Sequence, residues 1–161
     1  MTLIPTFGFS FVGLAFLLAL FIPNILWWRF GIPQGYSTEG ESRVLGVIER
    51  MGQVLVTGTA LAFDNTNLHP WTPWSWWLVG AVALMVAYEA AWVRYFLSAR
   101  TMHDFYRPLL GLPVPLAVLP CAAFLLLGVY GMLWPLVVAS LVLAVGHVGI
   151  HVQHWRALRA G

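Results

Sequence analysis

Residues 135–155 read PLVVASLVLAVGHVGIHVQHW. A run of about 20 mainly apolar residues is what an α-helix needs to cross the hydrocarbon of a bilayer. Inside this run His147, His151 and His154 are spaced four and three apart, which places them on one stripe of a helix. Ser140 and Ala144 continue the stripe as small residues. A face that is small and then polar packs against other helices, because small side chains let backbones approach and lipid rejects imidazoles.

Four other segments share this character: 6–28, 41–63, 74–97 and 113–132. Composition agrees. The chain is 60% hydrophobic and 9% charged, with mean hydropathy +0.81, whereas soluble domains carry about 25% charged residues. A water-soluble fold of 161 residues would leave exposed apolar surface that aggregates. The predicted fold class is therefore all-α: a single domain, 1–161, forming an integral membrane bundle of five transmembrane helices. Local signals support the boundaries. Pro23 and Asn24 predict a kink late in the first helix. Thr38 and Glu41 have capping-box spacing before the second. Thr72-Pro73 suits a helix entry at the third, and Pro115 and Pro120 predict bends in the fourth. The first apolar run has no Lys or Arg before it and exceeds a signal-peptide core of about 7–15 residues, so it is predicted to be a retained helix.

All eight basic residues are arginine. Arg29, Arg43 and Arg50 sit at the first helix–helix junction, Arg94, Arg100 and Arg107 at the third, and Arg156 and Arg159 after the last helix. The amino terminus, 64–73 and 131–134 have none. Five spans put every arginine on one side, which the positive-inside rule makes the cytoplasm. The amino terminus is then outside and the carboxyl terminus cytoplasmic. The lack of lysine, with abundant Ala, Gly, Val and Leu, points to a GC-rich bacterial genome and hence to the bacterial inner membrane. Trp71, Trp74, Trp76, Trp77 and Trp134 at one end, and Trp27, Trp28 and Trp155 at the other, read as interfacial belts.

Several functions are disfavoured. A net charge of +2 gives no basis for nucleic-acid binding. The single Cys121 allows no internal disulfide and no CxxC metal site. No nucleotide-binding or nucleophile-elbow motif appears, against an ATPase or serine hydrolase.

Ionisable residues within spans require a partner or a purpose. His147 lies twelve residues beyond Pro135, roughly 18 Å along the helix, and Glu89 sixteen beyond Pro73, roughly 24 Å. Glu49 and Arg50 enter from the opposite side by about 10–12 Å. All four reach the cytoplasmic half. Gly46, Glu49, Gln53, Thr57 and Ala60 form a matching stripe on the second helix. The predicted pocket holds Glu49, Arg50, Gln53, Glu89, Arg94, His147 and His151, with His154 and Arg107 at its mouth. His147, His151 and Glu89 are the candidate catalytic groups, and Glu49, Arg50, Gln53, Arg94 and Arg107 the candidate ligand-binding groups.

Three chemistries fit. His147, His151 and His154 with a carboxylate hold the donors for a divalent metal such as zinc. Histidine beside glutamate makes a proton relay. Arginine with histidine binds a phosphate or carboxylate headgroup. Against all three stands a structural role, in which the buried groups satisfy one another and fix helix register. His103 and Asp104 read as a solvated interfacial turn. The leading expectation is a protein that binds, and modifies, a membrane lipid or other small amphiphile. The alternatives are a proton-coupled transporter or channel component and an accessory subunit. Five spans are few for a transporter, so a homodimer is an expected partner state. Size, five spans and tryptophan content resemble the tryptophan-rich sensory protein/translocator protein family. That family's Trp–Pro motif follows its first helix, whereas Trp71-Thr72-Pro73 follows the second here, so the likeness assigns no ligand or residue.

Overall fold

A computed structural model describes residues 4–160. It is all-helical, with no strands among the described residues. The helices are α1 (Phe11–Leu26), α2 (Arg43–Ala62), α3 (Trp76–Phe96), the single turn α4 (Met102–Phe105), α5 (Pro115–Tyr130) and α6 (Trp134–Ala160). A π-helical turn, Trp27–Gly31, prolongs α1, and a 3₁₀ turn, Pro73–Ser75, leads into α3. With these extensions, four helices are long and apolar enough to cross a membrane: Phe11–Gly31, Arg43–Ala62, Pro73–Phe96 and Trp134–Ala160. The fifth, α5, has 16 residues, about 24 Å. α2 packs along α6, α6 on α5, and α5 on α3, while α1 touches α2 and α3 more sparsely.

Glycine decides how closely α2 and α6 approach. A Cβ on Gly52 would collide with the backbone of Leu143, and one on Gly146 with the backbone of Glu49. Gly46, from the predicted stripe, meets nothing within 4 Å. The buried residues of α2 are Gly52, Val56 and Ala60; Ala60 belongs to the predicted stripe, and the Glu49 backbone, also of that stripe, lies against Gly146.

Boundaries differ from expectation where local chemistry intervenes. α2 begins at Arg43, capped by the Ser42 hydroxyl accepting from Leu45 N at 3.4 Å. Gly40, with φ of 86°, turns the chain before the helix starts, so Thr38 and Glu41 close a turn instead of a capping box. Pro115 is the first residue of α5 and introduces no bend. Thr72 and Ser75 do form a capping box at the entry to α3.

The two ends of the bundle differ in kind. At one end the 64–67 segment, Asp-Asn-Thr-Asn, is knotted to the start of α1. Asn67 Oδ1 accepts from Phe11 N at 2.8 Å while its amide donates to Phe9 O at 3.0 Å. Asn65 Oδ1 accepts from Thr6 N at 2.7 Å, and the Ser10 and Thr66 hydroxyls are 2.7 Å apart. Tyr130 OH donates to Asn67 O and accepts from His69 N, both at 3.2 Å. The other end carries the arginines. Trp27, expected in an interfacial belt, turns inward there and stacks on Phe105 at 5.4 Å.

Candidate functional site

The histidine stripe of α6 meets α2 at two carboxylates. His147 Nδ1 lies 2.5 Å from Glu49 Oε1, and Gln53 Nε2 donates to the same oxygen at 3.4 Å. Two turns further on, His154 Nε2 lies 2.8 Å from Glu41 Oε1. His151 stands between them without a hydrogen-bond partner among the described residues, its ring centroid 4.6 Å from that of His147. Aromatic rings fill the remaining space. Tyr106 is 5.8 Å from His151 and stacks on His154 at 6.2 Å, and Tyr36 stacks on the other side of His154 at 5.6 Å. Burial, with Glu41 and Glu49 nearby, raises the Tyr36 phenol above its ordinary range. Burial does the same to Tyr106, so both hydroxyls keep their protons at neutral pH.

His147 also lines a cavity of about 650 Å³ between α1, α2, α5 and α6. Its floor is buried: Pro120, Cys121, Phe124 and Leu143. Its rim, Phe21 from α1 and Gln53, Val54 and Gly58 from α2, is exposed. The opening therefore lies between α1 and α2, the pair that packs sparsely. Most of the lining is apolar, and its polar groups are Asn24, Gln53, Thr57 and His147. Asn24 is also a tie, its amide donating to Leu20 O and to Tyr88 OH, both at 2.7 Å.

No family model, curated protein or solved structure matches this chain.

The structure brings together Glu49, Gln53, His147 and His151 of the predicted pocket. It does not bring in the others. Arg94 donates to Arg107 O at 2.7 Å and Pro108 O at 3.0 Å, pinning the α4–α5 connection. Arg50 is exposed and has no hydrogen bond or ion pair among the described residues. Glu89, on α3, pairs with none of the histidines, and its Oε1 is buried without a partner. Arg107 lines a separate cavity with Tyr106 and Arg159 and bonds none of the histidines among the described residues. Among the described residues no three His, Cys, Asp or Glu side chains converge as metal ligands. His147 and His154 each face a separate carboxylate, 2.5 and 2.8 Å away, which pulls the three imidazoles apart as a ligand set. Asp104 is part of a capping box with Thr101, and those bonds hold its carboxyl below the usual range. Sequence reasoning missed the cavity, because Pro120, Cys121 and Phe124 of α5 carry no chemical signal by type.

Proposed function

We propose that this chain is a five-span protein of the bacterial inner membrane, with its amino terminus outside and carboxyl terminus cytoplasmic, that binds an amphiphile in the lateral cavity. The observation that carries the reading is the cavity's make-up: an apolar chamber with a rim between α1 and α2 and one imidazole–carboxylate pair at its polar end. Binding sites for small molecules combine apolar walls with a few placed polar groups in this way. In the tautomer with the proton on Nδ1, His147 donates to Glu49 Oε1 and leaves Nε2 as an acceptor for a ligand hydroxyl or amide. Gln53 adds a second polar group at the same level. The fifth span is α5, whose ends reach the arginine end and the asparagine knot. Crowding of the arginines at one end supports the orientation.

Native mass spectrometry of the protein released from bilayers tests the binding. A retained lipid or other amphiphile is expected on the intact protein. Gly58→Trp, which places a ring where the Gly58 Cβ position has open space, should lower the number of bound amphiphiles by one per chain without unfolding it. Retention unchanged by Gly58→Trp would end the proposal.

A second reading, proton coupling, is favoured by one observation: carboxylate–histidine pairs bracket an unpartnered His151. Proton flux into liposomes that is lost in Glu41→Gln would carry it, and absence of flux in the intact protein would remove it.

A further inference from the structure

A second cavity, of about 520 Å³, lies at the arginine end between the α4–α5 connection and the last turns of α6. It shares no lining residue with the lateral cavity. We propose that it binds the phosphate of an anionic phospholipid headgroup, a reading that does not depend on what the lateral cavity holds.

Charge comes first. Arg107 and Arg159 line the cavity, with His103 beside them and no carboxylate in the lining. Neither guanidinium has a hydrogen bond or ion pair among the described residues. Arg159 is held by its own helix, stacked on Trp155 at 4.7 Å. Arg94 fixes the backbone of Arg107 through the carbonyls of Arg107 and Pro108, so the chain carrying one guanidinium is anchored before any ligand arrives. Asp104, which feels the Arg107 charge, is bonded to Thr101 at 3.0 Å from N and 2.9 Å from Oγ1 and makes no ion pair with Arg107 among the described residues. The carboxyl end of α6 opposes an anion with about half a negative charge. Two full guanidinium charges outweigh it.

Tyr106 closes the inner wall with its ring and is only 2% exposed.

The surroundings select lipid over free phosphate. Leu110 and Gly111 form a two-residue turn, closed by Leu109 N to Leu112 O at 3.2 Å and Leu112 N to Leu109 O at 2.9 Å. Leu110 takes the left-handed conformation, φ 49°, that leucine rarely adopts. It is wholly exposed, at 101%. A leucine held out on a strained turn gains nothing in water. Beside a headgroup site it enters the acyl layer, while Trp155 takes the interfacial position suited to its ring.

The test uses the full chain in nanodiscs of phosphatidylcholine with a minor fraction of phosphatidylglycerol. Native mass spectrometry then counts which lipid stays bound. Phosphatidylglycerol is expected to be enriched over phosphatidylcholine. Each arginine near an anionic surface contributes about fivefold in affinity, so Arg107→Gln and Arg159→Gln should each cut the enrichment by that factor. Leu110→Asn should weaken it without changing charge at the phosphate. Arg29→Gln with Arg43→Gln removes twice that charge from the same end and should leave the enrichment intact, while circular dichroism confirms that each variant folds. Equal loss in that control pair would mean a diffuse field and overturn the site. Full competition by inorganic phosphate would overturn the lipid assignment. Unchanged enrichment in Arg107→Gln would overturn both.

Discussion

The asparagine end and the arginine end use polar groups to opposite purposes. At the first, the side chains of Asn65, Thr66, Asn67 and Tyr130 all find partners within 3.2 Å. At the second, Tyr106 OH is buried without any, and His151 stands unpaired between two matched histidines. Bonds that close on themselves hold a structure. Polar groups left open where lipid excludes water are costly and persist where a ligand or proton completes them. On the proposed reading, the difference separates scaffold from site within one small bundle.

Variants at the scaffold end should show the largest effect. Asn67→Ala strips the amino terminus of α1 of an acceptor and frees Phe9 O. A loss of roughly 2–3 kcal/mol in unfolding stability is expected, read by denaturant titration in detergent. Asn67→Asp keeps the acceptor for Phe11 N but leaves Phe9 O unpaired, and should recover only about half of it. Lateral-cavity retention in Asn67→Asp should match the intact protein. Loss of retention there would blur the division between the ends.

A matched pair of tyrosines sharpens it. Tyr130→Phe removes two satisfied bonds and should cost about 1–2 kcal/mol. Tyr106→Phe removes a hydroxyl with no partner and should leave stability unchanged or slightly higher in protein stripped of lipid. Equal losses at both positions would mean that Tyr106 has a structural bond after all.

A double-mutant cycle on Glu49→Gln and His147→Ala comes next. Side-chain pairs between membrane helices couple by about 0.6 kcal/mol on average and 1.7 at most. The 2.5 Å contact should reach about 1 kcal/mol. Coupling indistinguishable from zero would remove the pair from the account.

The smallest effect is local. Thr101 holds the Asp104 carboxyl below its ordinary range, so the capping box is in force above the unfolded carboxylate pKa, about 3.9. It is lost as pH falls through the lower folded value. Amide exchange at Asp104 and Phe105 should quicken only in that acidic window. Quickening near neutrality would point to another group.

Much of this organisation is legible in the sequence, and the reasons are physical. Long apolar runs report α1, α2, α3 and α6 because lipid demands them. The spacing of His147, His151 and His154 reports one face, and their cost in hydrocarbon reports that the face is turned inward, toward Glu49 as it proves. Other features escape because they depend on distance between segments. Gly52 and Gly146 set the α2–α6 approach, yet a glycine in a helix reads the same whether or not a backbone lies against it. Arg94 looks like a ligand-binding cation until Arg107 O and Pro108 O claim it. Glu89 shares the depth of His147, but depth along a helix leaves the azimuth open, and α3 packs on α5, away from α2. The 64–67 knot consists of short polar residues that in isolation read as a loop.

The occupant of the lateral cavity is the central claim, and magic-angle-spinning NMR in bilayers of carbon-13-labelled lipid tests it most directly. Through-space transfer from lipid or co-purified amphiphile carbons to the His147 ring nitrogens is expected, and should vanish in Gly58→Trp. Transfer confined to outward-facing residues such as Val44 and Leu97, with none to His147 in the intact protein, would contradict the account.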